Sequence, residues 1–485
     1  MRQILFWPGW PALLAAAAVL SFIVLGVAAL GAGRRDWDEG VYWQSLRALG
    51  RGEPLFSGVV ATEPPAFYYG LLPFYLVGHG IAGIRFGVLV YGCLGLVAAY
   101  FAGRFLAGHR AGLLTVALLA TAPFYVDQSI SLQADGPSAA LALVAVALSL
   151  GARQAGESGQ RSRLYVLTGL SGLALALATG TKLSGILAGV PILLALLASQ
   201  ERRRRFLAFL VGGLTGVMVL LIPAAGGLSS MWAQLIDSHL AAGRAIHRPL
   251  GTNLPVILIA RNLPLLGLGV AGIALALWRR DSRILLPLAW TAVTLAAVLV
   301  YQPLFRHHLV QLAGPLSLSA AVGLLAERSR RETPGSETFR AVGSVLSAAT
   351  AVAALLAVAG YGLSVGIRHT IGARAAGGSD IQLAAYLRQA TRSGEFLISD
   401  DQFAVALADR DVPGTMVDTS RQLIADGLLR LSGVEAAAER YRVQHILLGR
   451  EPRLVKLPGF KQWLQANFDE LNRLPGGTLY ARRQR

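Results

Sequence analysis

The chain has 485 residues, of which 54% are hydrophobic and only 15% charged, and its formal net charge is +17. This composition excludes an ordinary soluble protein and indicates a polytopic membrane protein. The positive charge is spread over arginine-rich loops, which argues against nucleic-acid binding and for charge-directed topology. Cys93 is the only cysteine, so an intrachain disulfide and a Cys-rich metal site are both excluded.

The predicted membrane spans begin at the N-terminus, where Arg2 precedes a long apolar stretch without a small-residue cleavage site. We interpret this stretch as an uncleaved signal-anchor helix. Suitable lengths recur along the chain, and we expect about 11 spans. In order they cover residues 11–32, 82–106, 111–126, 134–150, 164–179, 183–199, 206–225, 254–278, 284–301, 308–326 and 341–365.

Every second connecting loop is basic, as the positive-inside rule requires when the N-terminus is cytoplasmic. These loops contain Arg104 with Arg110, then residues 153–163, 202–205, 279–283 and 328–340. The acidic loops and everything after about residue 368 then lie outside. The sequence thus predicts a multi-pass protein of a bacterial cytoplasmic membrane, with its C-terminal part extracytoplasmic.

The last part of the chain differs in composition, because Asp, Glu, Gln and Tyr return there. We predict a transmembrane domain over residues 1–366 and a soluble α/β domain over residues 367–485. In the second domain the patterns predict helices at 381–390, 421–431, 434–441 and 460–467, and strands at 395–399, 443–448 and 478–481.

The first outer loop, residues 33–81, carries Asp36, Asp38 and Glu39 directly after the first span. Carboxylates near lipid are costly and need partners, a metal or water. Two amphipathic, aromatic segments flank Glu63-Pro64-Pro65, whose prolines fix a turn. These segments predict interfacial helices, with their aromatic residues as membrane-belt anchors. A solvated interfacial loop is the alternative interpretation.

Asp135 lies at the outer end of the fourth span, immediately before Gly136-Pro137. One interpretation is a helix N-cap. The other is chemical, because Asp38 and Asp135 are predicted at the same membrane face and depth. Two converging carboxylates supply a general base with either a second acid or a metal ligand.

Cations are predicted at that same face. Lys182 is the only lysine before the tail and lies between two spans, and Arg306, His307 and His308 begin the tenth span. Such groups suit a phosphate headgroup, although snorkelling to lipid explains some of them equally well. His307 and His308 are adjacent and diverge on a helix, which disfavours a shared metal. A further basic set in the outer loop is Arg244, His247 and Arg248.

No Gly-rich nucleotide-binding loop after a strand and no Walker-type motif is present in the sequence. A donor carried in the membrane is therefore the simplest source of an activated group. The motifs stand along the chain in this order: Asp38-Glu39-Gly40-Val41-Tyr42, Pro64-Pro65 with Tyr68-Tyr69, His109 to Leu113, Asp135, Thr181-Lys182, and Arg306 to His308 with Pro315.

In this order the motifs resemble the GT-C glycosyltransferases, specifically bacterial relatives of protein O-mannosyltransferases and of the lipid A aminoarabinose transferase. The resemblance covers about residues 1–330. It implies inverting transfer of a hexosyl or pentosyl group from a polyprenyl-phosphate donor to a glycan, lipid or protein acceptor of the cell envelope.

The resemblance also implies residue roles. Asp38 becomes the general base and Asp135 the second acid, while Lys182, Arg306 and His307 neutralise the leaving lipid phosphate. Glu39 and Glu63 are candidates for acceptor or metal contact. In one departure, Glu63 stands where relatives of the aminoarabinose transferase often have Lys. Either Lys182 and Arg306 take over phosphate binding or Glu63 holds a divalent metal, and the sequence leaves metal dependence open.

Two other classes of protein remain as alternatives. A lipid-linked sugar flippase or transporter would use the same acids as coupling or substrate sites, although matched halves and mid-span charges are lacking. A non-catalytic envelope assembly subunit is the third interpretation, and the intact Asp38 and Asp135 argue against it.

Overall fold

A computed structural model describes residues 10–325 apart from residues 32, 200, 239, 242–248 and 260–261, and then residues 360, 364, 367, 368, 371 and 377–484. The predicted span at 341–365 lies almost wholly outside the described residues, and so do Arg244, His247 and Arg248. We number the described α-helices α1 to α19 and the strands β1 to β4.

Helices make up nearly all of the described chain up to residue 325. They are α1 Trp10–Ala29, α2 Asp38–Gly50, α3 Pro65–Gly78, α4 Ile81–Ala107, α5 His109–Thr121, α6 Pro123–Gln128, α7 Asp135–Glu157, α8 Arg161–Thr181, α9 Gly189–Leu197, α10 Arg202–Leu221, α11 Leu228–Trp232, α12 Leu254–Ile257, α13 Leu263–Trp278, α14 Leu285–Val300 and α15 Ala313–Leu325. Short 3₁₀ helices at Leu183–Ala188, Ile222–Gly227, Leu250–Asn253, Ser282–Ile284 and Arg306–Leu312 join several of them.

In this part of the chain, seven helical segments are long and apolar enough to cross a membrane, and two shorter apolar ones accompany them. The predicted polytopic helical fold is confirmed. The predicted span at 111–126 is divided into α5 and α6 at Pro123, because proline has no N–H to continue the helical ladder.

Two of the candidate spans form the centre of the bundle. In Asp135–Glu157 and in Arg306–Leu325, 89% of the most apolar stretch is buried inside the protein. In Arg202–Asp237 the buried share is only 11%. Both central spans begin with a predicted site residue. The fold thus delivers Asp135 and Arg306 to one end of the bundle.

The loop between α1 and α4 folds into α2 and α3, which pack on each other through aromatic rings. The centroids of Tyr42 and Phe67 are 4.8 Å apart and edge-on, and Phe67 and Tyr68 are fully buried. The prediction of belt anchors is therefore wrong for these two side chains, which form a core between the helices.

The C-terminal part is a four-stranded mixed sheet with helices around it. Residues 377–390 are helical, and the remaining elements are β1 Leu397–Ser399, α16 Gln402–Leu407, α17 Arg421–Ala425, α18 Leu431–Arg440, β2 His445–Gly449, α19 Phe460–Asn467, β3 Phe468–Leu474 and β4 Gly477–Arg482. The strand order is β1-β2-β4-β3. β1 and β2 are parallel, and the other pairs are antiparallel.

The sheet domain, residues 377–484, which we call the outer domain after its predicted side of the membrane, shares a hydrophobic core with the first outer loop. Val41, Leu46 and Tyr68 belong to the same buried cluster as Phe403 and Leu447. Arg34 adds a bridge to Asp401 at 2.7 Å and to Asp380 at 3.0 Å. The outer domain is thus fixed over the end of the bundle that carries the acidic residues.

Candidate functional site

Lys182 joins two of the predicted acidic residues. Its Nζ lies 2.9 Å from Glu63 Oε1 and 2.9 Å from Asp135 Oδ2. Glu63 Oε1 also accepts a hydrogen bond from the Tyr42 hydroxyl at 3.1 Å. We call Asp38, Glu63 and Asp135 together with Lys182 the acidic cluster. Two carboxylates and one ammonium leave the Lys182 bridge with a formal charge of −1.

Asp135 is the first residue of α7, and its side chain is fully buried. Pro137 follows within the first turn, where the missing N–H costs no hydrogen bond. The side chain caps no backbone N–H of its helix. Its carboxylate pairs with Lys182 instead, so the N-cap interpretation is wrong.

Asp38 is the first residue of α2 and remains partly exposed. Its Oδ2 accepts a hydrogen bond from Gln133 Nε2 at 3.3 Å. Its recessed position raises the pKa of the carboxyl to about 6, and the Gln133 hydrogen bond opposes part of that increase. Lys182 and Glu63 act electrostatically on the same carboxyl, so Asp38 lies near enough to the Lys182 bridge to respond to its charge. A base with such a pKa is ionised at neutral pH yet still accepts a proton readily.

Glu39 has a different environment from its neighbour Asp38. It is fully buried and forms a bidentate ion pair with Arg85, at 3.0 and 2.7 Å. The backbone N–H groups of Leu132 and Arg35 donate to its two oxygens at 2.9 and 2.8 Å. Both carboxylate oxygens are thus occupied, and this geometry gives no support to the prediction of Glu39 as an acceptor or metal contact. Its role here is to fix the start of α2 against α4.

The predicted phosphate-binding segment lies at the same end of the molecule. Arg306 is exposed and forms no ion pair with a described carboxylate, whereas His307 is half-buried and stacks on Phe305 with centroids 5.5 Å apart. Both His307 and His308 act electrostatically on Asp135. His308 accepts a hydrogen bond from the backbone N–H of Phe305 at 3.2 Å, which holds the turn before the 3₁₀ helix.

The outer domain adds residues that sequence reasoning missed. The Arg453 guanidinium lies 3.5 Å from the centroid of the Trp37 ring, next to Asp38 in the chain. Trp37 Nε1 donates to the backbone oxygen of Asp400 at 3.2 Å. Asp418, also buried, acts electrostatically on Asp38. No motif in the tail marks Asp418 or Arg453, because only the folding of the distant chain segment brings them to the site.

The side chains around Glu63 do not favour a divalent metal at this position. Among the described residues, no group of three or more His, Cys, Asp and Glu side chains is arranged to hold a metal ion. The Lys182 ammonium already stands between Glu63 and Asp135. A cation placed there would have to displace it, so we derive no step through a metal.

Comparisons with known proteins agree with this architecture. Residues 62–226, which run from just before Glu63 to beyond Lys182, match the family described as dolichyl-phosphate-mannose-protein mannosyltransferase. In sequence, the chain matches none of the curated proteins.

The structural matches extend over the whole chain. ArnT from Cupriavidus metallidurans bound to undecaprenyl phosphate superposes with a TM-score of 0.67 at 17% identity, over 98% of each chain. The oligosaccharyltransferase AglB from Archaeoglobus fulgidus, in complex with an inhibitory peptide and a dolichol-phosphate, gives 0.53 at 14% identity, over 96% of this chain and 74% of AglB. An oligosaccharyltransferase from Archaeoglobus fulgidus in the apo form gives a TM-score of 0.59 at 15% identity, over 99% of this chain and 75% of that one.

The fold is therefore the GT-C fold of membrane glycosyltransferases. Residues 62–226 are similar to the protein mannosyltransferase family, and over its full length the chain has the architecture of ArnT. The predicted GT-C-like fold is confirmed.

Proposed function

We propose that this protein is an inverting glycosyltransferase that moves a sugar from a polyprenyl-phosphate-linked donor to an acceptor at the outer face of a bacterial cytoplasmic membrane. The observation that carries the proposal is the acidic cluster. It combines a partly exposed Asp38 with a buried Glu63–Lys182–Asp135 bridge, at one end of a GT-C bundle. The undecaprenyl phosphate bound by ArnT and the dolichol-phosphate bound by AglB support a lipid-phosphate donor.

Asp38 acts as the general base in this proposal. It accepts the proton of the acceptor nucleophile while that atom attacks the anomeric carbon from the face opposite the lipid phosphate. The bond between the anomeric carbon and the phosphate oxygen breaks, and polyprenyl phosphate leaves with the electron pair. One direct displacement inverts the anomeric configuration. The fixed start of α2, held by Glu39 and Arg85, keeps the base in position.

Three cationic or basic side chains, Arg306, His307 and Lys182, stabilise the leaving phosphate. Arg306 is exposed and suited to a bidentate phosphate contact, and His307 lies beside it. The Lys182 ammonium has three N–H donors and pairs with Glu63 and Asp135. One donor is therefore left for a phosphate oxygen. Negative charge develops on this phosphate in the transition state, where such groups are most effective.

The alternation of basic loops supports an outer location for the cluster. The C-terminal ends of α4 and α7 and the N-terminal ends of α8 and α10 carry Arg104, Arg153, Arg161 and Arg202 to Arg205, at the face away from Asp135. We propose that this basic face is cytoplasmic. The predicted transmembrane domain, residues 1–366, then places the predicted C-terminal domain, residues 367–485, in the extracytoplasmic space.

The experiment is sugar transfer in proteoliposomes, with a panel of radiolabelled polyprenyl-phosphate monosaccharides and candidate envelope acceptors. We expect wild-type protein to release polyprenyl phosphate from one donor. The same assay compares Asp38→Asn with a matched control, Glu157→Gln. Glu157 is an exposed carboxylate at the opposite face, where its partner is Arg153. Intact donor that crosses the bilayer would contradict the proposal and favour a flippase. Intact donor that stays in place would favour an assembly subunit.

A further inference from the structure

A second site lies at the membrane face opposite the acidic cluster. A cavity of about 550 Å³ opens between α4, α7 and the first half of α8. Its lining consists of Leu94, Val97, Ala98, Phe101, Arg104, Phe105, Val144, Ala147, Leu148, Gly151, Gln154, Ala155, Ser158, Gln160, Arg163 and Leu167. We call this cavity the basic groove. None of the transfer chemistry proposed above uses it.

Most of the side chains that line the groove are apolar. Its floor contains the small buried residues Ala147, Gly151 and Ala155, and a Cβ added at Gly151 would lie 3.1 Å from the Phe105 ring. Exposed side chains such as Val97, 54% accessible, and Phe101, 39% accessible, form its outer wall. This apolar lining fits a hydrocarbon chain rather than a polar ligand.

The far end of the groove is polar and positively charged. Arg104 and Arg163 are exposed there, beside Gln154, Ser158 and Gln160. Arg163 donates to Gln160 Oε1 at 3.3 Å, and neither arginine forms an ion pair with a carboxylate of the described chain. None of the groove's lining residues is acidic. Two unneutralised guanidinium groups at the end of an apolar channel complement a phosphate attached to a hydrocarbon chain.

We propose that the basic groove binds one anionic phospholipid of the adjacent leaflet. Its phosphate lies between Arg104 and Arg163, and one acyl chain lies over Ala147 and Gly151. Both arginines are located at helix ends, Arg104 in the last turn of α4 and Arg163 in the first turn of α8. A single headgroup therefore links two membrane helices, and the bound lipid stabilises the packing of α4, α7 and α8.

The test is native mass spectrometry of the full-length protein released from nanodiscs of phosphatidylcholine, with or without phosphatidylglycerol. We expect wild-type protein to retain one phosphatidylglycerol. The double variant Arg104→Gln/Arg163→Gln should bind it about 30-fold more weakly, from about 1 kcal/mol per basic residue at a membrane surface. Arg203→Gln is the control, because Arg203 is exposed on the same basic face but outside the groove.

A second variant tests the apolar part independently of charge. Ala147→Leu fills the floor and should reduce phosphatidylglycerol retention while Arg104 and Arg163 remain. Equal retention by wild type, the double variant and Arg203→Gln would show only annular lipid and overturn the proposal. Equal retention of phosphatidylcholine and phosphatidylglycerol by wild type would overturn it as well, since the guanidinium pair would then select nothing.

Discussion

At the scale of single residues, Lys182 determines the charge of the acidic cluster. It is the only cation within ion-pair distance of Glu63 or Asp135 among the described residues. Without it, two carboxylates would remain nearly buried and unpaired. Breaking a buried ion pair by removal of one partner typically costs about 3–5 kcal/mol. Lys182 is thus structural as well as a candidate phosphate contact.

We predict that Lys182→Met lowers the melting temperature of the purified protein and weakens use of the lipid donor. Adding Glu63→Gln and Asp135→Asn should recover stability but not transfer, because the carboxylates no longer need a counter-charge. Arg153→Gln is a suitable control, since its exposed pair with Glu157 is worth only about 0.3–0.5 kcal/mol. Unchanged melting and unchanged donor affinity in Lys182→Met would refute both assigned roles.

The pH profile reports on Asp38. Because burial raises the pKa of its carboxyl to about 6, the ionised base is lost as the pH falls through that value. We expect kcat/KM to fall on the acid side with a midpoint near 6. Gln133→Met removes a hydrogen bond that lowers this pKa, so its midpoint should move to higher pH. A profile that is flat from pH 5 to 7 would argue against Asp38 as the base.

Much of the site could be predicted from residue type and position, because Asp38, Asp135 and Lys182 each stand at the end of an apolar stretch. Other parts could not be predicted. Glu39 and Asp38 are sequence neighbours, and only the helical turn of α2 directs one to Arg85 and the other to Gln133. Likewise, nothing local to Glu63 indicates that Lys182, distant along the chain, is its partner.

At the scale of elements, α2 connects the site to the outer domain. Asp38 begins the helix, and Arg47 near its end pairs with Asp411 at 2.6 Å. Between them Gly40 touches α16 so closely that an added Cβ would lie 2.4 Å from the backbone nitrogen of Phe403. Glycine at this position allows the two helices to approach each other, and the approach positions Trp37 under Arg453.

We predict that Gly40→Ala loosens the docking of the outer domain, because a backbone atom cannot move aside as a side chain can. Overpacking of this kind costs about 1–3 kcal/mol. Hydrogen exchange in residues 397–407 should increase and transfer should fall. Gly433→Ala, in α18 of the same domain with nothing within 4 Å of the added Cβ, should change neither. Identical exchange in the two variants would contradict the close contact.

The elements that sequence patterns missed have weak periodicity. The edge strand β3, Phe468–Leu474, exposes most of its residues and contains Asp469, Glu470 and Arg473, so no apolar alternation marks it. Among the strands of the described chain it pairs only with β4. The short helix α16 was missed for the opposite reason, since almost all of its residues are buried and no polar face reveals a helical period. The strands at the centre of the sheet were predicted within two residues of their bounds.

At the scale of the whole molecule, a membrane bundle presents one acidic end and one basic end. The outer domain covers the acidic end and shares its hydrophobic core with the first outer loop. Composition and hydropathy sufficed to predict the helical bundle, because apolar length is a local property of the chain. The shared core could not be predicted, since it depends on contacts between residues more than 300 positions apart.

The most direct test of the account is a single-turnover reaction with the donor that the panel identifies. Released polyprenyl phosphate and the anomeric configuration of the product would be measured for wild type and for Asp38→Asn. We predict stoichiometric release with inverted configuration in wild type, and no release in Asp38→Asn despite normal expression and lipid binding. Retained configuration, or wild-type release by Asp38→Asn, would contradict the assignment of Asp38 as the base of a direct displacement.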